Sequence, residues 1–271
     1  MLDLKRNSKF ELVEATGKRT RKSSIYSPKQ NEDFKISRSK FSDYLTCSRC
    51  FYLDRVVGLE SPGTPGWALN ETTDILYKRE FDECRKKQIP HRLFIENNIE
   101  HFIPFDHPDI DKWRDSLHHG LIVRYGKSNI ILSGGVDDIW INTSTNKLIV
   151  VDYKSQSSTK EITPEKYLND VFKQNYKIQM DFYVYLLKEM GFEVHPEGYF
   201  VVCNGNRLAD DFNGVMKFEE YLIPYEWNIS WVDEKLSDMF DCMNSNFIPP
   251  GNPSCKNCAY AKQRAVYEGS T

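Results

Sequence analysis

Asp152 and Lys154, in the stretch LIVVDYKS, and an acid some fifteen residues earlier in GGVDD are the residues of this chain whose types and spacing best suit chemistry. Side chains alternate along an extended segment, so Asp152 and Lys154 share one face while Val151 and Tyr153 take the other. Carboxylates from two neighbouring strands that converge at a sheet edge can hold a hard cation such as Mg²⁺ or Mn²⁺ through oxygen. A lysine on that face can orient, or help deprotonate, a metal-bound water attacking phosphorus. The arrangement suits phosphodiester hydrolysis. The same residue types also form ordinary cross-strand ion pairs on solvated faces, and spacing alone leaves both readings open. Asp137 and Asp138 are neighbours and must face opposite ways, so only one of them can join Asp152.

A second group of candidates lies near the two ends. CSRC supplies Cys47 and Cys50, and CKNC supplies Cys255 and Cys258. Four thiolates from two such pairs suffice for tetrahedral Zn²⁺ or a [4Fe–4S] cluster. Two separate redox or structural pairs are the alternative. Seven cysteines in a chain without a secretory leader favour thiols or metal ligands over disulfides, and Cys84, Cys203 and Cys242 read as unliganded, mostly buried residues.

The elements that must position these residues follow from pattern. HGLIVRY, NIILSGG, VDDIWIN and KLIVVDYK read as strands, with GKSN and TSTN as hairpin turns. SRSKFSDYLTCSRCFYLDRV reads as a helix capped by Ser37 or Ser39. WALNETTDILYKREFDECRKKQ reads as an amphipathic helix with Leu69, Ile75, Leu76 and Phe81 along its apolar stripe. DVFKQNYKIQMDFYVYLLKEMG is a helix closed by Gly191, EGYFVVCNG a further strand, and SWVDEKLSDMFDCMNSN a late helix before a loop, IPPGNPSCKNCAYAKQR. This order predicts an α/β layer with a mixed sheet and helices packed on it.

The net charge of −3 disfavours non-specific coating of nucleic acid, although the first forty residues hold eleven Lys and Arg against five acids. That stretch reads as a solvated arm, with a phosphate-contacting arm as the sharper alternative. No apolar run approaches a membrane span and the start lacks a signal peptide's hydrophobic segment, so the expectation is a soluble, cytoplasmic protein without a membrane partner.

GGVD, then VVDYKS, then a helix carrying QMDFY resembles the Gly-x-x-Asp, Asp-x-Lys and Gln-x-x-x-Tyr series of the RecB-type nucleases of the PD-(D/E)XK superfamily. The resemblance implies a restriction-endonuclease-like core, a mixed β-sheet flanked by helices. It further implies Asp137 and Asp152 as metal ligands, with the Tyr153 carbonyl beside them, Lys154 as the catalytic lysine, and Gln179 and Tyr183 near the active site. The glycine spacing favours Asp137 over Asp138.

Where the family usually carries a metal-binding histidine, this chain has Asn70. Asp74, one turn later, is then the expected third acid, assisted by Asn70 or Glu71, while Glu80 and Asp82 read as solvated. CSRCFYL and CKNCAYAKQR are similar to the cysteine elements by which AddB and CRISPR-adaptation nucleases bind an iron–sulfur cluster, except that Arg264 stands at the last cysteine position. Cys50 would restore the count. The resemblance thus favours [4Fe–4S], with Zn²⁺ as the alternative, and such a staple would place Arg49 and Arg55 beside the nuclease face.

The expected layout is a flexible basic arm over 1–35, one nuclease domain with its cysteine staple over 36–265, and a tail over 266–271. The expected activity is metal-dependent hydrolysis of single- or double-stranded DNA in repair, recombination or defence, alongside other recombination or repair proteins. A binding or assembly module that keeps the fold without turnover is the alternative. A redox-gated DNA binder is a third reading. His118, His119, Trp140 and Tyr199 are weaker candidates, more in keeping with surface histidines and buried sheet aromatics.

Overall fold

KLIVVDYKSQ forms a ten-residue strand because its β-branched and aromatic residues suit a pleated surface packed on both faces. The structure is a computed structural model and describes residues 4–63 and 68–269. Strands are β1 (Phe34–Ser37), β2 (Phe102–Pro104), β3 (Leu121–Arg124), β4 (Ile130–Gly134), β5 (Asp138–Asn142), β6 (Lys147–Gln156), β7 (Glu197–Gly205) and β8 (Phe218–Glu226). Helices are α1 (Arg38–Thr46), α2 (Ser48–Tyr52), α3 (Ala68–Lys87), α4 (Arg92–Glu96), α5 (Ile110–Arg114), α6 (Pro164–Asn169), α7 (Gln174–Glu189), α8 (Val232–Asn244) and α9 (Lys256–Tyr267). Two compact units result. One is drawn from 1–66, 124–131 and 233–271, the other from 67–123 and 132–232.

The second unit is built on a five-stranded sheet in the order β2-β5-β6-β7-β8. It is mixed: β6 and β7 run parallel, and the other neighbours are antiparallel. A parallel pair needs a crossover, supplied here by α6 and α7. Tyr77 and Phe81 of α3 pack on one face with Trp140, Ile149, Val151 and Tyr153. On the other face α7 lies so close that a Cβ on Gly198 would come within 2.5 Å of Met180 Sδ.

Two expectations for this unit change. Leu69, Ile75 and Leu76 do not form the buried stripe of α3: Leu69 is 72% exposed, and the inward residues are Tyr77, Phe81 and Arg85, spaced four apart. Aromatic stacking of Phe81 on Trp140 and His91 decides which face turns in. Asp82 is also not simply solvated, because it accepts from both Arg85 and Arg114.

In the first unit, Ser37 caps α1 by accepting from Lys40 N at 3.4 Å. The helix is interrupted at Cys47, which is extended, and restarts as α2. The stretch from CKNC onward, read as loop, is instead α9, with Cys255 at its N-cap. Within the stretch read as a flexible arm, Tyr26 is buried and donates to Asn244 Oδ1 at 3.0 Å, while Arg19 pairs with Asp54 at 2.5 Å. Among the described residues no helix is long and apolar enough to cross a membrane.

Candidate functional site

The β5–β6 register pairs Asp138 with Val151, which sets the preceding Asp137 beside the Asp152 end of β6. Tyr153 N donates to Asp137 Oδ2 at 2.8 Å, fixing that carboxylate at the strand edge. Asp152 is fully buried. Its Oδ1 accepts from Gln179 Nε2 at 2.7 Å, and Gln179 also reaches Tyr183 OH at 3.2 Å. Its Oδ2 faces Lys154 Nζ at 2.5 Å, an ion pair bent out of hydrogen-bond geometry, so this buried oxygen has no hydrogen-bond partner. Lys154 Nζ also sits 4.6 Å from the centre of the Tyr176 ring. Asp137, Asp152, Lys154, Gln179 and Tyr183 are thus one neighbourhood.

Electrostatics tie Asp74 to it. Burial and the repulsion of Asp137 raise the Asp74 pKa against the pull of Lys78, which pairs with it at 2.8 Å. Burial and then Asp152 push Asp137 up to about 7, opposed by Lys154 and Lys78. Burial alone would lower the Lys154 pKa, but Asp152 and Asp137 raise it, so the lysine keeps its proton. Carboxylates crowded in this way fit a hard divalent cation.

Asp138 has a different task. It is fully buried, bonds Arg85 Nη2, and accepts from Tyr153 OH at 2.9 Å and from its own strand at Ile139 N. Those partners lie on the α3 side of the sheet, away from Asp152. The Tyr153 side chain is therefore committed to Asp138 and to ring contacts with Phe81 and Tyr77. Asn70 is exposed on the first turn of α3. Sequence reasoning missed Lys78, Arg85 and Arg114. A lysine four residues after Asp74 is the signal for Lys78, while Arg85 could be found only as a charge falling on an inward helix face. His118 pairs with Asp115 at 3.0 Å and is exposed, and Trp140 and Tyr199 are buried, so none of the three offers a free ligand or stacking face.

In the first unit the cysteine pairs meet. Cys50 Sγ lies 3.3 Å from Cys258 and 3.6 Å from Cys255, and Cys47 lies 3.7 Å from Cys258. All four sulfurs fall within 4.8 Å of one another. Asn252 N donates to Cys47 Sγ at 3.4 Å and Asn257 Nδ2 to Cys50 Sγ at 3.5 Å. Burial opposes ionisation of Cys47, but amide donation from Asn252 and Cys50 brings its pKa down to about 7. Gly251 has little room for a side chain, since a Cβ there would sit 3.2 Å from Cys258 Sγ. Around a single tetrahedral zinc, with Zn–S of about 2.3 Å, sulfurs are spaced about 3.8 Å apart. A cubane binds each thiolate to its own iron and spreads them further. The closest sulfurs here are 3.3 to 3.7 Å apart, in a group that could hold one ion or a cluster.

A family model described as the PD-(D/E)XK nuclease superfamily matches residues 76–263, more than half of the chain. The chain belongs to this superfamily. No curated protein matches it. The match to the PD-(D/E)XK nucleases takes in Asp137, Asp152, Lys154, Gln179, Tyr183, Cys255 and Cys258, and leaves Asp74, Cys47 and Cys50 outside. Members of the superfamily are generally nucleases that use divalent metals, so the substrate class is nucleic acid.

Proposed function

We propose that this chain is a Mg²⁺- or Mn²⁺-dependent DNA nuclease, RecB-like in its motif series and acting in repair, recombination or defence. The observation that carries the reading is the meeting of Asp137, Asp152 and Lys154 at one sheet edge in a chain of this superfamily. Asp74, Asp137 and Asp152 would hold the divalent ion, with the Tyr153 carbonyl as a further oxygen. Bound there, the ion would polarise the phosphodiester and make its bound water more acidic.

The chain's own residues do the rest. Gln179 fixes Asp152, and Tyr153 N fixes Asp137. Lys154, held protonated by its two acids, puts positive charge where negative charge builds on the phosphate.

The test is cleavage of end-labelled single- and double-stranded DNA by anaerobically purified protein, beside Asp152→Ala and Lys154→Ala. Mg²⁺- or Mn²⁺-dependent cleavage that both substitutions remove is the expected result. DNA binding without cleavage under either ion would replace this reading with the non-catalytic module.

For the cysteine centre, sulfur spacing and the two-plus-two distribution support a single structural Zn²⁺ over the [4Fe–4S] cluster that the family resemblance favours. Metal analysis of anaerobically purified protein should find one zinc per chain. Four irons with labile sulfide would overturn it.

A further inference from the structure

The turn between α6 and α7, Val171–Lys173, carries groups that the hydrolytic site leaves unused. Lys173 Nζ donates to the neutral Gln156 Oε1 at 2.8 Å and lies 5.2 Å from the Tyr167 ring and 5.3 Å from the Tyr176 ring. Lys154 stands over that same Tyr176 ring at 4.6 Å. Among the described residues no carboxylate oxygen is within ion-pair distance of Lys173, whereas Lys78, Lys154 and Lys166 each have one. Burial lowers the Lys173 pKa; the charge of Asp170 opposes this and that of Lys154 adds to it. No ion pair neutralises this ammonium directly, which leaves it able to take an anion.

Beside Lys173, Phe172 is 82% exposed and Val171 is 74% exposed. Asp170 Oδ1 accepts from Phe172 N at 2.9 Å, which fixes the turn that presents this ring. The turn borders an open groove of about 850 Å³ that Gln156, Ser158, Lys160, Tyr167, Phe172 and Lys173 help to line. Gln156 shares its strand face with Lys154, so one end of the groove lies on the same sheet face as the proposed hydrolytic site.

We propose that this groove holds an unpaired DNA strand, with a backbone phosphate at Lys173 and a base stacked on Phe172. An exposed ring next to an ammonium that has no ion-paired acid matches the repeating chemistry of a single strand, whose base faces are free to stack. A duplex presents only base edges in its grooves. The proposal deepens the nuclease reading by naming the substrate form and the residues that grip it.

The test is fluorescence polarisation of labelled single-stranded and duplex DNA with the full chain and its metal centre intact, without added Mg²⁺ or Mn²⁺. Phe172→Ala should weaken single-strand binding about tenfold and leave duplex binding unchanged. Lys173→Ala should weaken it several-fold and reduce the salt slope by about one released ion. Both side chains can be removed without emptying the core, and matching circular-dichroism melts establish that the variants fold.

Single-strand binding at the wild-type level by Phe172→Ala would overturn the proposal. A changed oligomeric state with unchanged DNA affinity would overturn it too, marking the patch as a protein contact. Phe172-dependent binding without cleavage by the wild type would sink the nuclease reading and keep the groove. Wild-type cleavage with Phe172-independent binding would do the reverse.

Discussion

The four thiols of the first unit converge until every sulfur lies within 4.8 Å of the others, whereas Asp74, Asp137 and Asp152 in the second form no such set and lean on lysines. The contrast follows from charge. Thiols keep their protons more readily than carboxylates do, and amide donation supports charge on Cys47, so hydrogen-bonding amides and a glycine without a side chain suffice to gather them. Carboxylates crowd only at the cost of mutual repulsion at low dielectric, so Lys78 and Lys154 partly neutralise them. The first site brings its four possible ligands together in advance. The second is balanced by resident cations that share the acids with any metal that enters.

The most severe way to break this comparison is to remove the balancing cation or its acid. Lys154→Ala and Asp152→Ala are each expected to lower cleavage by at least about 10²-fold, measured on end-labelled DNA. Rates within a few-fold of wild type would return the pair to an ordinary ion pair. Next in size, Cys50→Ala or Cys258→Ala should lose the bound metal and lower the melting temperature by more than about 5 °C, followed by calorimetry and metal analysis. An unchanged melt would show the thiol cluster to be dispensable.

Asp137 and its neighbour sharpen the contrast. Asp138→Asn uncouples a buried partner of Arg85 and should cost about 3 kcal/mol in urea unfolding. Asp137→Asn should leave stability equal or higher while weakening Mg²⁺ binding, because it relieves repulsion with Asp152. Equal costs for the two would erase the distinction between the faces of β5.

The Asp137 carboxylate carries a pH dependence. The Asp137 pKa is raised from 3.8 to about 7 in the folded chain, so over that window the native state holds more protons than the unfolded one. Its contribution to stability therefore falls as pH rises from about 4 to about 7. Melting of metal-free protein should show this component, and Asp137→Asn or saturating Mg²⁺ should remove it. A component of unchanged size in Asp137→Asn would assign the titration elsewhere.

Much of the second site was legible in the chain. Period two put Asp152 and Lys154 on one face, and the same rule separated Asp137 from Asp138. Gln179 and Tyr183, four apart on a helix, lie together as that spacing requires. The face of α3 was not legible, since Leu69, Ile75 and Leu76 are as apolar as the residues that turn inward. What selected Tyr77, Phe81 and Arg85 was a stack of rings and a buried carboxylate contributed by other segments. β8 was missed because its strand, FEEYLIPYE, alternates irregularly and carries a proline. α9 was missed because its start is crowded with Pro and Cys.

The sequence by itself determined which residues could bind metal, that only one of two adjacent acids can share a face with the lysine, and that the cysteines come in two chelating pairs. Local geometry is enough for that, because strand and helix periods are set by the backbone. Only the tertiary structure decided that the pairs meet, that their sulfurs come within 4.8 Å of one another, and that Lys154 and Lys173 stand over the same tyrosine ring. Those outcomes depend on distances between segments far apart in the chain, which no local period encodes and which packing alone fixes.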